Sequence, residues 1–247
     1  FDLGMLNNRL TVSFDWFNRK TINMVGPAPE LPVTLGANVP KMNNADMQST
    51  GFELDLGWRD RIKDFDYGVH LLLSDDRQKI LKYPNTTGKI NTWYVGKYNG
   101  DIWGFETIGI AKSQEEMDAH LASLPNGGQD ALGVKWGAGD IMYRDLNGDG
   151  KISDGATLND PGDKKVIGNS SPRFRFGLDL NASWKGIDVR LFFQGVAKRD
   201  AWLNDNMFWG ATGGIWQSAC FTSHLDFFRE EGDDFWSANK DAYFPRI

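Results

Sequence analysis

The sequence predicts an all-β chain, a section of an antiparallel transmembrane β-barrel with long extracellular loops and one short loop helix. Three observations point there. Five segments of about ten residues alternate apolar and polar side chains with period two, which sorts the two classes onto opposite faces of an extended strand. Every second connection between these segments is short. Aromatic rings gather at the segment ends, in a chain that carries 10 Trp and 16 Phe although 24% of its residues are charged.

The segments justify themselves in order. In 9–18, Leu10, Val12, Phe14 and Trp16 oppose Thr11, Ser13 and Asp15. In 51–59, Phe52, Leu54, Leu56 and Trp58 oppose Glu53, Asp55 and Arg59. In 65–74, Phe65, Tyr67, Val69, Leu71 and Leu73 oppose Asp66, His70 and Ser74, with Leu72 as the exception. Segment 173–184 sets Phe174, Phe176, Leu178, Leu180, Ala182 and Trp184 against Arg173, Arg175, Asp179, Asn181 and Ser183. Segment 187–196 sets Ile187, Val189, Leu191 and Phe193 against Asp188, Arg190 and Gln194. At ~3.3 Å per residue and a tilt of ~45°, ten residues rise roughly 23 Å, close to the ~25 Å apolar band of an outer-membrane barrel.

The connections assign direction. Asp60 to Asp64 and Lys185–Gly186 are tight turns, whereas 19–50, 75–172 and 197–247 are long. Tight turns on the periplasmic side and long loops outside are the habit of up-and-down membrane barrels. Trp58, Phe65, Tyr67 and Trp184 then fall beside turns, and Trp16, Phe17, Phe174, Phe192 and Phe193 beside loops, which makes two aromatic belts. Arg175 and Arg190 fall on the lumen face, where no lipid opposes them; the same residue facing lipid at mid-membrane would cost ~2 to 4 kcal/mol. A soluble β-sandwich also alternates, but it does not require such strands, such loop asymmetry or rings at both ends. Five strands cannot close a barrel and an open edge cannot face lipid, so the chain is expected to be a fragment that starts at Phe1 without a signal peptide and stops at Ile247 inside a loop.

Composition removes several other classes. The formal net charge is −6 with basic residues scattered among acids, so no nucleic-acid partner is expected. The single Cys220 leaves no disulfide within the chain and too few thiolates for structural zinc. No stretch approaches the ~18 apolar residues that a membrane-spanning helix needs. His70, His120 and His224 lack a zinc-peptidase spacing, and no nucleophile elbow or phosphate loop is present. Acid pairs such as Asp75–Asp76 and Glu230–Glu231 read as solvated loop acids, and the chain is expected not to be an enzyme.

Two loop features carry chemistry. Ser113 followed by Glu116, with Met117, Leu121 and Leu124 at helical spacing, predicts a capped helix over 114–123, which Pro125, Asn126 and Gly127 end. The run DLNGDGKISD from Asp145 matches the opening of a Ca2+ loop. Asp145, Asn147 and Asp149 supply oxygens at positions 1, 3 and 5, Gly150 the bend, Lys151 a backbone carbonyl and Ile152 an apolar anchor. The twelfth position is Ala156, so Asp163, or failing that Asp160, is expected to return after the Gly155 to Gly162 insertion as the last ligand; an ion-free cluster of Asx-turns is the alternative. In 197–247, Trp202, Trp209 and Trp216 head a group of rings suited to stacking on sugars or on a partner protein, or to packing the loop itself.

The runs GDIMYRDLNGDGKISD and KKVIGNSSPRFRFGLDLNASWKGIDVRLFFQGV, with weaker support from GPAPELP, GFELDLGWRD and ASLPNGGQDALG, resemble the SusC/RagA family of TonB-dependent outer-membrane transporters. The resemblance implies a later section of a plugged barrel of about 22 strands, placed in the cell outer membrane among outer-membrane lipid. It implies import of oligosaccharides or peptides, a SusD-like surface lipoprotein as lid, and coupling to the TonB complex through parts this chain lacks. The rival reading is a soluble calcium-supported β-sandwich that binds carbohydrate.

Overall fold

A computed structural model describes residues 1–27, 40–202, 222–230 and 237–246. The chain divides into two compact units. The sheet unit comprises Phe1–Thr87, Thr92–Asp101 and Asn169–Asp200, and the loop unit the described parts of Gly88–Asn91, Ile102–Gly168 and Ala201–Ile247.

The strands of the sheet unit are β1 (Asp2–Met5), β2 (Leu10–Gly26), β3 (Met42–Ile62) and β4 (Phe65–Lys82), then β9 (Arg173–Trp184) and β10 (Ile187–Lys198). Between them in the chain come β5 (Asp101–Phe105), β6 (Thr107–Ile110), helix α1 (Gln114–Ala122), β7 (Ile141–Tyr143) and β8 (Lys164–Asn169). The sheet is antiparallel in the order β1-β2-β3-β4-β9-β10. Chain neighbours pair throughout, except that β9 follows β4 across the long insertion.

Turn chemistry closes the hairpins. Lys185 and Gly186 take φ of 48° and 87°, left-handed at both positions, as the two-residue turn that matches strand twist requires. Ile62 faces Phe65, so Lys63 and Asp64 alone make the other tight turn, with Lys63 at φ 56°.

Register converts alternation into faces. One rung runs Val12, Leu56, Leu71, Leu178, Phe193; the rung towards the turns runs Leu10, Trp58, Val69, Leu180, Leu191. The opposite face runs Thr11, Gly57, His70, Asp179, Phe192 and then Ser13, Asp55, Leu72, Gly177, Gln194. On the apolar face no charged residue lies between the Phe52 and Asp60 rungs. The charges at its two ends are paired, Asp60 with Arg9 at 3.3 Å and Asp75 with Arg173. From the Ile62 rung to the Phe52 rung the strand climbs ~33 Å, or about 23 Å at a tilt of ~45°. Among the described residues nothing covers this face: Val189, Leu191 and Phe193 are each half exposed. A sandwich would bury that band under a second sheet, and a lipid-facing wall leaves it bare.

The strands outrun the predicted segments. β3 begins at Met42 rather than 51, β2 continues to Gly26, and β4 to Lys82. The added residues, such as Gln48, Ser49 and Thr50, are polar on both faces, so period-two patterning carries no trace of them. The short β1 was also missed; it folds back on β2 through Leu6, Asn7 and Asn8, all at positive φ, and keeps the phase with Leu3 opposite Val12.

The predicted loop 75–172 is largely ordered structure. In the loop unit β5 pairs with β8 and β6 with β7, and Ala111, Met117 and Met142 form a small core against Leu121 and Trp136. Helix α1 is capped as the sequence suggests: the Ser113 hydroxyl accepts the Glu116 N–H at 3.2 Å, and the Glu116 carboxylate accepts the Lys112 N–H at 2.7 Å. Gly139 sits at φ 86° with the Phe228 ring 2.3 Å from where a Cβ would stand, so only glycine permits that ring to be buried.

Candidate functional site

Two places gather polar chemistry. The first is the polar face of the sheet, where neighbouring strands bring opposite charges together. His70 Nε2 lies 2.6 Å from Asp55, Arg190 forks onto Asp179, and Arg175 donates to Asp76 at 2.7 Å. Between them Leu72 and Phe192 flank Gly177, an apolar spot on the floor of a hollow of about 550 Å³ that Asp15, Glu53 and Arg175 also line. Such a surface is wettable, charged of both signs and locally adhesive, which suits the wall of an aqueous passage.

The second is the loop from Asp145 to Asp163. Gly148 and Gly150, both at positive φ, turn their N–H groups onto the Asp145 carboxylate at 2.6 and 2.8 Å. Asn147 Oδ1 accepts the Asp149 N–H at 2.9 Å, and Asp149 in turn accepts from Lys151 N–H at 3.1 Å. Ile152, almost wholly buried, anchors the loop and donates its N–H to the Gly128 carbonyl at 2.7 Å. The insertion doubles back through a bridge between Asp154 and Gly162, which delivers Asp163 to the cluster.

Asp163 is fully buried, and its oxygens accept N–H groups of Leu146 and Ser153, each at 2.7 Å. Carboxylate oxygens of Asp145, Asp149 and Asp163 lie within 4.8 Å of one another. Burial pushes the Asp145 carboxyl up, but the N–H groups of Gly150, Gly148 and Asp149 outweigh it and hold the group below its ordinary value. Of the two acids considered for the return, the fold brings Asp163; Asp160 lies in a turn with Thr157. The donor set is all oxygen, the chemistry that a hard divalent cation takes.

Other sequence candidates resolve into structural roles. Asp75 and Asp76 point to opposite faces, one to Arg173 and the other to Arg175, so they are not a working acid pair. His120 lies 3.0 Å from Gln129, which is buried and also accepts the Tyr143 N–H. Glu106 is held below its ordinary value by the Lys165 ammonium and, more weakly, by Arg144. Trp202 is 62% exposed on the loop unit, while Trp209 and Trp216 lie outside the described residues. Sequence reasoning missed the Asp55–His70 pair, which only register reveals, because the two residues lie on different strands.

No family model matches the chain. Among curated proteins it is similar to two from Formosa agariphila: TonB-dependent receptor P3, 25% identical over 207 residues, and TonB-dependent receptor P26, 28% identical over 207 residues. The matches cover 78% and 79% of this chain and 19% of each relative, so the chain spans about a fifth of their length. Among solved structures it is similar to the RagAB peptide transporter, with TM-score 0.62, 21% identity, and coverage of 100% of this chain and 25% of that one. It is also similar to the RagAB peptide importer in the closed-closed state, with TM-score 0.63, 22% identity, and coverage of 100% and 25%. Sequence and fold agree: the sheet is similar to the barrel wall of TonB-dependent receptors, and its place is the outer membrane.

Proposed function

We propose that the chain supplies part of the wall and outer loops of a TonB-dependent nutrient importer of the SusC kind, which passes oligosaccharides (glycans) or peptides beneath a SusD-like lipoprotein lid. The two-faced sheet carries this reading. An apolar face with charges only at its ends suits lipid, and a face of paired charges suits a water-filled interior. RagAB, similar in fold, is a peptide transporter, which supports import as the activity and peptides among the substrates. The relatives are far longer than this chain, and the proposal assigns coupling to the TonB complex to the length that this chain does not cover. No catalytic role is proposed; Asp55, Asp75, Asp76 and Asp179 of the sheet are engaged by His70, Arg173, Arg175 and Arg190.

The loop unit is proposed to hold one calcium ion on Asp145, Asn147, Asp149, the Lys151 carbonyl and Asp163. Three carboxylates so close repel one another, and a divalent cation would relieve that repulsion while pinning the insertion to the loop.

Uptake of fluorescently labelled peptides and oligosaccharides by cells with and without the full receptor tests the import reading. Uptake should vanish on deletion and on collapse of the proton gradient; uptake indifferent to both would contradict it.

A further inference from the structure

Above the apolar band, the outward face of the sheet changes character within two rungs. The Trp16, Phe52, Asp75 rung closes the band, and its one carboxylate is taken by Arg173. The next rung is Asn18, Thr50, Arg77, and the next Lys20, Gln48, Lys79. Even-numbered residues of β2 and β3 and odd-numbered residues of β4 share this face, so Lys20, Arg77 and Lys79 stand directly over the lipid-facing rings. All three are exposed, and among the described residues none forms a close ion pair, although Arg77 also feels the Asp75 carboxylate that Arg173 holds. Three cations that share their face with one carboxylate, itself already neutralised by Arg173, are costly to gather unless something negative meets them.

Their placement is organised. The Arg77 guanidinium lies over the Tyr98 ring at 4.9 Å from its centre and the Lys79 ammonium at 5.8 Å, so one ring steadies both. Gln48 donates to Asn18 at 2.7 Å, which fixes the amides between them. Trp16, Phe52, Thr50, Gln48, Arg77 and Tyr98 are among the walls of a hollow of about 460 Å³. It is greasy below and cationic above.

Depth decides what can occupy it. Arg77 and Lys79 stand two and four residues beyond the closing rung, or about 5 and 10 Å higher at ~3.4 Å per residue and a tilt of ~45°. The headgroup layer of one leaflet is about 5–7 Å thick, half the difference between a hydrocarbon core of ~30 Å and a whole bilayer of ~40–45 Å. Arg77 therefore lies in that layer, and Lys79 and Lys20, a few ångströms beyond its outer edge, reach back into it on flexible stems.

We propose that Lys20, Arg77 and Lys79 form a site on the barrel wall for the phosphate of an outer-leaflet lipid, whose acyl chains run down beside Trp16 and Phe52. Guanidinium and ammonium groups bind phosphate oxygens by charge-assisted hydrogen bonds, and Thr50 and Asn18 add neutral partners. The site rests on the membrane-barrel reading and on the long connections lying outside.

The test uses the full receptor, delipidated in neutral detergent and examined by native mass spectrometry with monophosphoryl lipid A or the same lipid dephosphorylated. The wild type should retain the phosphorylated lipid about tenfold better, and R77Q/K79Q should lose that preference, as should K20Q in part. Lys185→Gln, beside Trp184 at the opposite end of the wall, should leave it intact. Inorganic phosphate should not displace the lipid; displacement would overturn the assignment to a lipid. Equal retention of both lipids, or no effect of R77Q/K79Q on a receptor that still fractionates with the outer membrane, would overturn the site. A receptor absent from that fraction would overturn the barrel reading instead.

Discussion

Arg173 grips Asp75 from the same side of the sheet that carries Leu73, Phe52 and Trp16, although strand alternation would send Arg173 to the other face. The cause lies between them in the chain. Phe174 adopts a left-handed φ of 53°, which breaks the pleat and turns Arg173 over. The sequence reading placed Arg173 on the lumen face with Arg175; the structure corrects this, because a period-two pattern cannot register a reversal of phase. The pair closes the apolar band with no net charge.

Removing one partner should therefore be worse than removing both. Asp75→Asn leaves a largely buried guanidinium unpaired at the lipid boundary and is expected to destabilise the folded barrel by about 2–4 kcal/mol, with the double change to Asn and Met recovering most of it. The midpoint of heat-modified migration in detergent reads this. Equal losses from single and double variants would contradict it.

Leu71 sits at mid-band with Leu56 on one side and Leu178 on the other. Leu71→Arg should cost about 2–4 kcal/mol in a lipid bilayer, while Ser74→Arg, on the polar face, should cost under about 1 kcal/mol. Urea titration of the receptor in vesicles compares them.

The loop unit should respond to calcium. Added calcium is expected to raise, and a chelator to lower, the temperature at which protease cuts the 145–163 loop of the full receptor. Asp163→Asn should abolish the difference, because Asp163 both joins the acid cluster and accepts from Ser153 and Leu146. Calorimetry showing no calcium heat would remove the ion from the account.

Acid should loosen the same unit by a second route. Glu106, hydrogen-bonded by Lys165, titrates below its ordinary 4.5 in the folded chain. Its contribution to stability is therefore fully present above about pH 4.5 and lost as pH falls through the lower folded value. Glu106→Gln should flatten that limb of a pH-dependent melting curve and leave the neutral range little changed.

How much of this was legible follows from where physics writes into sequence. Lipid demands an apolar side chain at every second position, so the rungs through Leu56, Leu71, Leu178 and Phe193 could be read directly. Beyond the bilayer nothing makes that demand. Gln48, Ser49 and Thr50 therefore looked like loop and proved to be strand. The return of Asp163 was readable because its carboxylate spacing was interrupted by a glycine-bounded insertion. The Asp55–His70 contact was not, because pairing across β3 and β4 depends on register.

The central claim is that Leu71 faces lipid and His70 faces water. Spin labels attached to single cysteines at these two positions, in a full receptor with Cys220 replaced by serine and reconstituted in bilayers, measure this through relaxation by oxygen and by a polar nickel chelate. The account predicts oxygen-dominated relaxation at Leu71 and nickel-dominated relaxation at His70. Nickel access at both positions, or the reverse order, would contradict it.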